Sequence, residues 1–288
     1  MSIDYSSKQI WEDRFTKNPD TFEWLGETDE LLPFIAPYLQ PLLNTSIASQ
    51  ATHILHMGCG TSQLSFSIQE KLGVLPEHIV NLDYSNKAIE LGQAVEVGRT
   101  TTARMHWVVA DLLDWKNIQH QLSAIPVATG TVNISLIVEK SCSDALACGH
   151  GVTIPASNFP FLAPSQTPNR HEIKDMEPMQ LAAIHLAALV KPNEGYWIAM
   201  SYSSSRFDFL ERLFDDDVVL SGGVETAGEL WKLVHREEKE VAEKIPEGSA
   251  STVHRPPVVN HVYVLRRTDV PLEGQLGNNT SERVDLYD

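Results

Sequence analysis

The stretch Thr52-His53-Ile54-Leu55-His56-Met57-Gly58-Cys59-Gly60 decides how the chain is read. Its first six residues form an apolar run of the length of one strand, and the run ends at a pair of glycines. Ser62 and Gln63 then open a helical pattern through Leu64, Phe66, Ile68 and Leu72, with Gly73 at its end. A strand that turns through glycine into a helix lets the backbone approach a ligand closely, and the helix start offers unpaired N–H groups. Alone, Gly-Cys-Gly is equally readable as a plain tight turn. Gln63 stands where a dinucleotide fingerprint has its third glycine, and no GxxxxGK[ST] loop occurs. Both facts count against nicotinamide, flavin and nucleoside triphosphate ligands.

Working outward, the same rhythm repeats. Strand patterns run from His78 to Asp83, Met105 to Ala110, Val132 to Val138 and Gly195 to Tyr202, and Val258 to Arg266 is expected to close the sheet. Between them lie a helix carrying Ala88, Ile89 and Leu91 and a Leu/Ala-rich helix from Met179 to Val190. This alternation predicts an α/β fold, a doubly wound, mostly parallel sheet with helices on both faces. Upstream, residues 1–50 read as a helical leader: Ile10, Trp11 and Phe15 at helical spacing, an Asn18-Pro19-Asp20 turn, Phe22-Glu23-Trp24, and a second helical run from Leu31 to Leu43. The core domain is expected over 51–270. Residues 149–178, with Pro155, Pro160, Pro164, Pro168 and Pro178, read as a long looped insertion. Residues 229–245 read as a solvated amphipathic helix or edge strand, and 271–288 as a disordered tail.

Composition narrows the function. The 288 residues are 42% apolar, ordinary for a globular chain, and no apolar run approaches the roughly 20 residues of a membrane span. The polar start, Met1 to Ile10, predicts no secretory signal. Lys and Arg total 22 against 38 Asp and Glu, a net charge of −16, which counts against a nucleic-acid grip and suits a small-molecule enzyme or one with a basic protein substrate. The 3 cysteines form no CxxC pair, so a cytosolic or nuclear setting is expected. The histidines show no metal-ligand spacing, so no metal is expected.

Two carboxylates behind the glycine turn sharpen the reading. Asp83 ends the second strand, 23 residues after Gly60, where it can accept both hydroxyls of a ribose. Asp111, followed by Leu112, ends the third strand, where a carboxylate can accept an adenine amino group. Each aspartate taken singly also reads as a helix cap or loop anchor. Together with the turn they mark the ligand edge of an open α/β sheet.

The order His56-Met57-Gly58-Cys59-Gly60-Thr61-Ser62, Asn81-Leu82-Asp83-Tyr84-Ser85, Asp111, and Glu139-Lys140-Ser141-Cys142-Ser143-Asp144-Ala145-Leu146 resembles the class I, seven-stranded S-adenosylmethionine-dependent methyltransferases. Within them it is similar to the branch of elongation factor 1-alpha lysine and N-terminal methyltransferases, which carry Gly-Cys-Gly-Asn-Ser and Glu/Asp-Lys-Gly-Thr-Leu-Asp-Ala. Here Thr61 replaces the Asn, and Ser141-Cys142-Ser143 replaces Gly-Thr-Leu. The resemblance covers about residues 8–148. It implies S-adenosylmethionine as cofactor, bound by Gly58, Cys59, Gly60, Ser62, Asp83, Tyr84, Asp111, Leu112 and Glu139. It also implies a leader that closes over the cofactor through Trp11, Arg14 and Trp24, with Arg14 near the methionine carboxylate. Packing of these aromatics on the sheet is the alternative. Glu139, Lys140 and Asp144 become the candidate catalytic residues, Glu139 aligning the acceptor. The implied acceptor is a protein amine; a small-molecule methyltransferase is the rival, and a non-catalytic cofactor-binding protein the reading from another class.

Overall fold

The structure, a computed structural model, describes residues 3–43, 52–99, 103–127, 132–167, 170–241 and 258–273. Five strands form the parallel part of one sheet: β1 (Thr52–Met57), β2 (Ile79–Asp83), β3 (His106–Val109), β4 (Asn133–Lys140) and β7 (Tyr196–Ser201). β9 (Val259–Arg267) pairs antiparallel with β7, and β8 (Trp231–Glu240) pairs antiparallel with β9 at the edge. The order is β3-β2-β1-β4-β7-β9-β8, seven strands, so the chain direction reverses its march at β1, between β2 and β4. Ligands of open α/β sheets bind at such a reversal, beyond the carboxyl ends of the strands. The register lines those ends up, with Met57 beside Leu82 and Asp83 beside Val109.

The central strands are continuous apolar runs because both faces are covered. One face packs on α2 (Leu32–Leu43) and α3 (Leu64–Leu72) through Ile35, Leu39, Leu64 and Ile68. The other packs on α5 (Trp115–Ser123) and α7 (Pro178–Leu189) through Trp115, Ile118, Ile184 and Leu186. All twelve residues of α7 are buried. α4 (Asn86–Val97) starts at Ser85, whose hydroxyl accepts the Ala88 amide at 3.1 Å. α3 ends at Gly73 with φ 72°, the left-handed turn expected from its position.

Three readings change. α5 was not anticipated, although Trp115, Ile118 and Leu122 are spaced to face one core. The 149–178 insertion is a packed element: β5 (Val152–Pro155) pairs antiparallel with β6 (Glu172–Met176), and Phe159, Phe161 and Ile173 are buried. Pro155 ends β5, Pro160 and Pro164 sit at turns and Pro178 opens α7, while the aromatics carry the apolar burial. β8 is the edge strand, and β9, expected to close the sheet, lies inside it. Residues 242–245 and the tail from 274 lie outside the described residues, whereas Leu272 is buried. No helix among the described residues is long and apolar enough to cross a membrane.

Candidate active site

The glycine turn is tight for a steric reason. Gly58 has φ 57°, and a Cβ built on it would lie 2.4 Å from Cys142 Sγ. Gly60 has φ 49°, and its Cβ would meet the Phe15 ring at 3.2 Å. One glycine therefore admits α6 (Cys142–Leu146) and the other admits the leader helix α1 (Lys8–Lys17). The turn is tied to the next strand by the Cys59 amide, which donates to Leu82 O at 3.1 Å, and by the Gly60 amide, which donates to Asp83 Oδ2 at 2.9 Å. The other Asp83 oxygen accepts the Ser85 amide at 2.9 Å. Burial raises Asp83 from 3.8 to about 6, with these two N–H groups pulling the other way.

Around the turn lies a cavity of about 300 Å³, a size suited to a small ligand. Asp83, Tyr84, Asp111 and Leu112 line it at the strand ends, Gly58 to Ser62 at the turn, and Lys140 at the end of β4. Asp111 is exposed; its Oδ1 accepts the Leu113 amide at 2.9 Å, and its own amide donates to Asn117 Oδ1 at 2.9 Å. The carboxylate thus both anchors its loop and faces the cavity.

The leader forms the opposite wall. Tyr5, Trp11, Phe15, Phe22 and Trp24 line the cavity in a mutually packed cluster, Trp11 and Phe15 stacked at 5.9 Å and Phe22 edge-on to Trp24 at 5.1 Å. Two glutamates hold it down. Glu12 accepts the Asn86 amide at 2.7 Å, the Lys87 amide at 3.1 Å and the Ser85 hydroxyl at 3.0 Å, all at the start of α4. Glu23 accepts the Gln63 amide at 2.6 Å and the Ser62 hydroxyl at 2.9 Å at the start of α3, and forms an ion pair with Lys140. Each carboxylate satisfies unpaired amides at the positive end of a helix dipole. These amides lower the Glu12 pKa against the opposing effect of its burial.

The sequence candidates divide. Trp11, Trp24, Gly58, Cys59, Gly60, Ser62, Asp83, Tyr84, Asp111, Leu112 and Lys140 line one cavity. Arg14 does not: its guanidinium lies over Phe22 at 4.2 Å and Trp24 at 5.3 Å, bracing the aromatic wall. Glu139, fully buried, is also absent from the lining; it accepts the Cys142 and Ser143 amides at 2.8 and 3.3 Å and the Ser143 hydroxyl at 2.6 Å. It anchors the turn after β4, and burial pushes it up to about 8. Asp144 pairs with Arg206 at 2.7 Å and accepts the Ser141 and Ser201 hydroxyls, tying α6 to β7. Ser141, where the branch it resembles has glycine, has φ 71°. Burial raises the Cys59 thiol, which fits a backbone role rather than a nucleophile.

Residues without a local sequence signal also line the cavity: Tyr5, Ser6, Gly149, His150 and Val152. The leader's Ser6 side chain reaches within 3.4 Å of a Cβ built on Gly149, beside the exposed His150. His56 also lines the cavity, though it is buried, lies against the Ser65 hydroxyl at 2.8 Å and is held neutral, its pKa near 3 through burial. Among the described residues, no cluster of three His, Cys, Asp or Glu is placed to hold a metal ion.

A glycine turn with no room for a Cβ, and a buried carboxylate one strand away, fit a nucleoside carrying an amino-acid tail. No family model matches the chain. It is 27% identical over 216 residues to the Neurospora crassa protein named methyltransferase srdJ, a match over 75% of this chain and 74% of that one. A structure from a study of the conversion of a disulfide bond into a thioacetal group during echinomycin biosynthesis superposes with a TM-score of 0.50 at 14% identity, covering 92% of this chain and 94% of that one. A more distant likeness, TM-score 0.43 at 9% identity over 90% of this chain and 97% of the other, is to an S-adenosylmethionine-dependent methyltransferase from Clostridium acetobutylicum. The fold is that of the class I methyltransferases, and the chain's likeness is to a methyltransferase.

Proposed function

We propose that this methyltransferase acts on a small acceptor that gives up a proton. One observation carries the reading: Tyr5 and Ser6 of the leader line the same cavity of about 300 Å³ as the strand ends and as Leu146, Gly149 and His150, which leaves room for a small acceptor. S-adenosylmethionine supplies a methyl group already activated by its sulfonium, so the protein's task is chiefly to hold donor and acceptor in line. Asp83 and Asp111 hold the nucleoside, the glycine turn admits the amino-acid tail, and the aromatic leader excludes water. Glu139 acts through the 141–143 turn that it pins. His150, at the mouth, takes the acceptor's proton and passes it to water.

A protein amine is the second reading, with elongation factor 1-alpha first to test. It is supported by the Glu139-to-Leu146 block and by a cleft lined by Asp175, Glu177 and Asp215 against the single cation Arg212, which pairs with Glu177; the cleft shares Gly149 and Pro178 with the main cavity. A lysine acceptor would need about 4 to 5 kcal/mol to reach its neutral form at neutral pH. The test is transfer of labelled methyl groups into a lysate of the source cell, separated into protein and low-mass fractions. Label in the low-mass fraction is expected. Label confined to a protein band would promote the second reading, and label in neither fraction would reject methyl transfer.

A further inference from the structure

His185 is a buried titratable group on α7 that the methyl-transfer scheme does not use. Its Nδ1 lies 2.7 Å from Leu112 O. The partner is a carbonyl, so Nδ1 carries the proton and donates. The ring is 1% exposed and packs against Trp115, Phe159 and Phe161 at centroid distances of 5.6, 6.2 and 5.9 Å. Its other nitrogen, Nε2, has no hydrogen-bond partner among the described residues. Burial lowers the imidazole to about 4, so it is neutral under ordinary conditions.

For stability alone this is a poor core residue. A buried, unpaired ring nitrogen carries a desolvation cost that leucine, of similar bulk, would not. What the imidazole supplies is a donor to one particular carbonyl. Leu112 lines the cavity beside Asp111, on the loop leaving β3. The other hydrogen bonds on that loop among the described residues are local: Asn117 on the Asp111 amide, Asp111 Oδ1 on the Leu113 amide and the Asp111 carbonyl on the Asp114 amide. His185 is the brace that comes from across the fold, 73 residues away, and two aromatics of the 149–178 insertion hold its ring.

We propose that His185 is a positioning residue for the adenine end of the cofactor, fixing the Asp111–Leu113 loop through the Leu112 carbonyl, and that the insertion serves this subsite by clamping the His185 ring. The inference rests on the cofactor assignment above, and binding by the unaltered protein tests that assignment separately. S-adenosylhomocysteine is titrated calorimetrically into the full-length protein and into His185→Leu and His185→Asn, with ligand-free melting recorded for each. The leucine variant is expected to lose about tenfold in affinity, the worth of one hydrogen bond's positioning. Its melting temperature should stay within about 3 °C, since an unpaired nitrogen is removed along with the bond. Asparagine places an N–H where Nδ1 stood and should keep affinity within about threefold. Unchanged affinity in the leucine variant would overturn the proposal. Equal losses in both variants, accompanied by lower melting temperatures, would reduce His185 to packing. If the leucine variant does not fold, His185→Gln, whose amide reaches the Nε2 position instead, is compared with His185→Asn, and equal affinities would again overturn it. Failure of the unaltered protein to bind S-adenosylhomocysteine would remove the cofactor assignment itself, and this inference with it.

Discussion

Replacing Asp83 with Asn separates what this carboxylate does for binding from what its burial does to the fold. Asp83 stands at about 6 in the folded chain against an ordinary 3.8. A shift of that size corresponds to a cost on the order of 3 kcal/mol for holding the charge in the fold at neutral pH. The folded value is raised, so the group's favourable contribution is complete below about pH 3.8 and is lost as pH rises through about 6. Asparagine is never charged and escapes the cost. Its single carbonyl oxygen, however, can accept only one of the two amides that Gly60 and Ser85 now donate, which takes back about 1 to 2 kcal/mol. Urea unfolding of the ligand-free Asp83→Asn protein should therefore show a gain of roughly 1 to 2 kcal/mol at neutral pH, vanishing or reversing near pH 4. Binding should move oppositely. With one acceptor where a ribose presents two hydroxyls, affinity for S-adenosylhomocysteine should fall about 30- to 150-fold. In the unaltered protein the same affinity should weaken on acidification below about pH 6, as the proton competes for the carboxylate. Binding by the variant within about threefold of normal would refute the ribose assignment, because that range is smaller than one lost hydrogen bond. A variant less stable at neutral pH than the parent would refute the account of burial.

Three further outcomes are open to direct measurement. Gly58→Ala should lose about 2 kcal/mol or more in thermal or denaturant unfolding and should not bind cofactor, because the added methyl meets Cys142 at a positive φ; a well-folded, binding variant would undo the steric argument. Glu139→Gln should keep turnover within about threefold, since an amide can still accept the two backbone N–H bonds, whereas Glu139→Ala should lose about 2 to 4 kcal/mol in unfolding experiments. A large drop in kcat for the glutamine variant with unchanged stability would return Glu139 to direct acceptor chemistry. Deleting residues 1–25 should leave the sheet folded by circular dichroism while weakening S-adenosylhomocysteine binding, and full affinity in the truncated protein would reduce the leader to packing.

The parallel strands were legible because strands buried on both faces must be near-continuous apolar runs, as Ile54-Leu55 and Ile79-Val80 are. Gly58, Gly60 and Asp83 were legible for a related reason: they are adjacent in space through strand register, which fixed spacing encodes. Side-chain direction was harder. Glu139 and Lys140 end the same strand, but neighbours on a strand face opposite ways, so Lys140 lines the cavity and Glu139 anchors the turn. The insertion misled because proline marks loops, while the burial of Phe159 and Phe161 depends on partners on α5 and α7 that no local pattern reveals. Tyr5 and His150 reach the cavity from segments far apart in the chain, and neither carries a motif.

The leader's two glutamate anchors bear on time as well as on affinity. Glu12 and Glu23 each hold the start of a different helix, and the aromatics between them cover the cavity. If a ligand leaves by lifting this roof, its escape is coupled to release of both anchors and separation of the ring cluster. Such opening is a local unfolding event, with its own barrier, rather than a side-chain adjustment. The spent cofactor would then depart slowly even where its equilibrium affinity is ordinary, and exchange of product for fresh donor, not methyl transfer, would set the pace of each cycle.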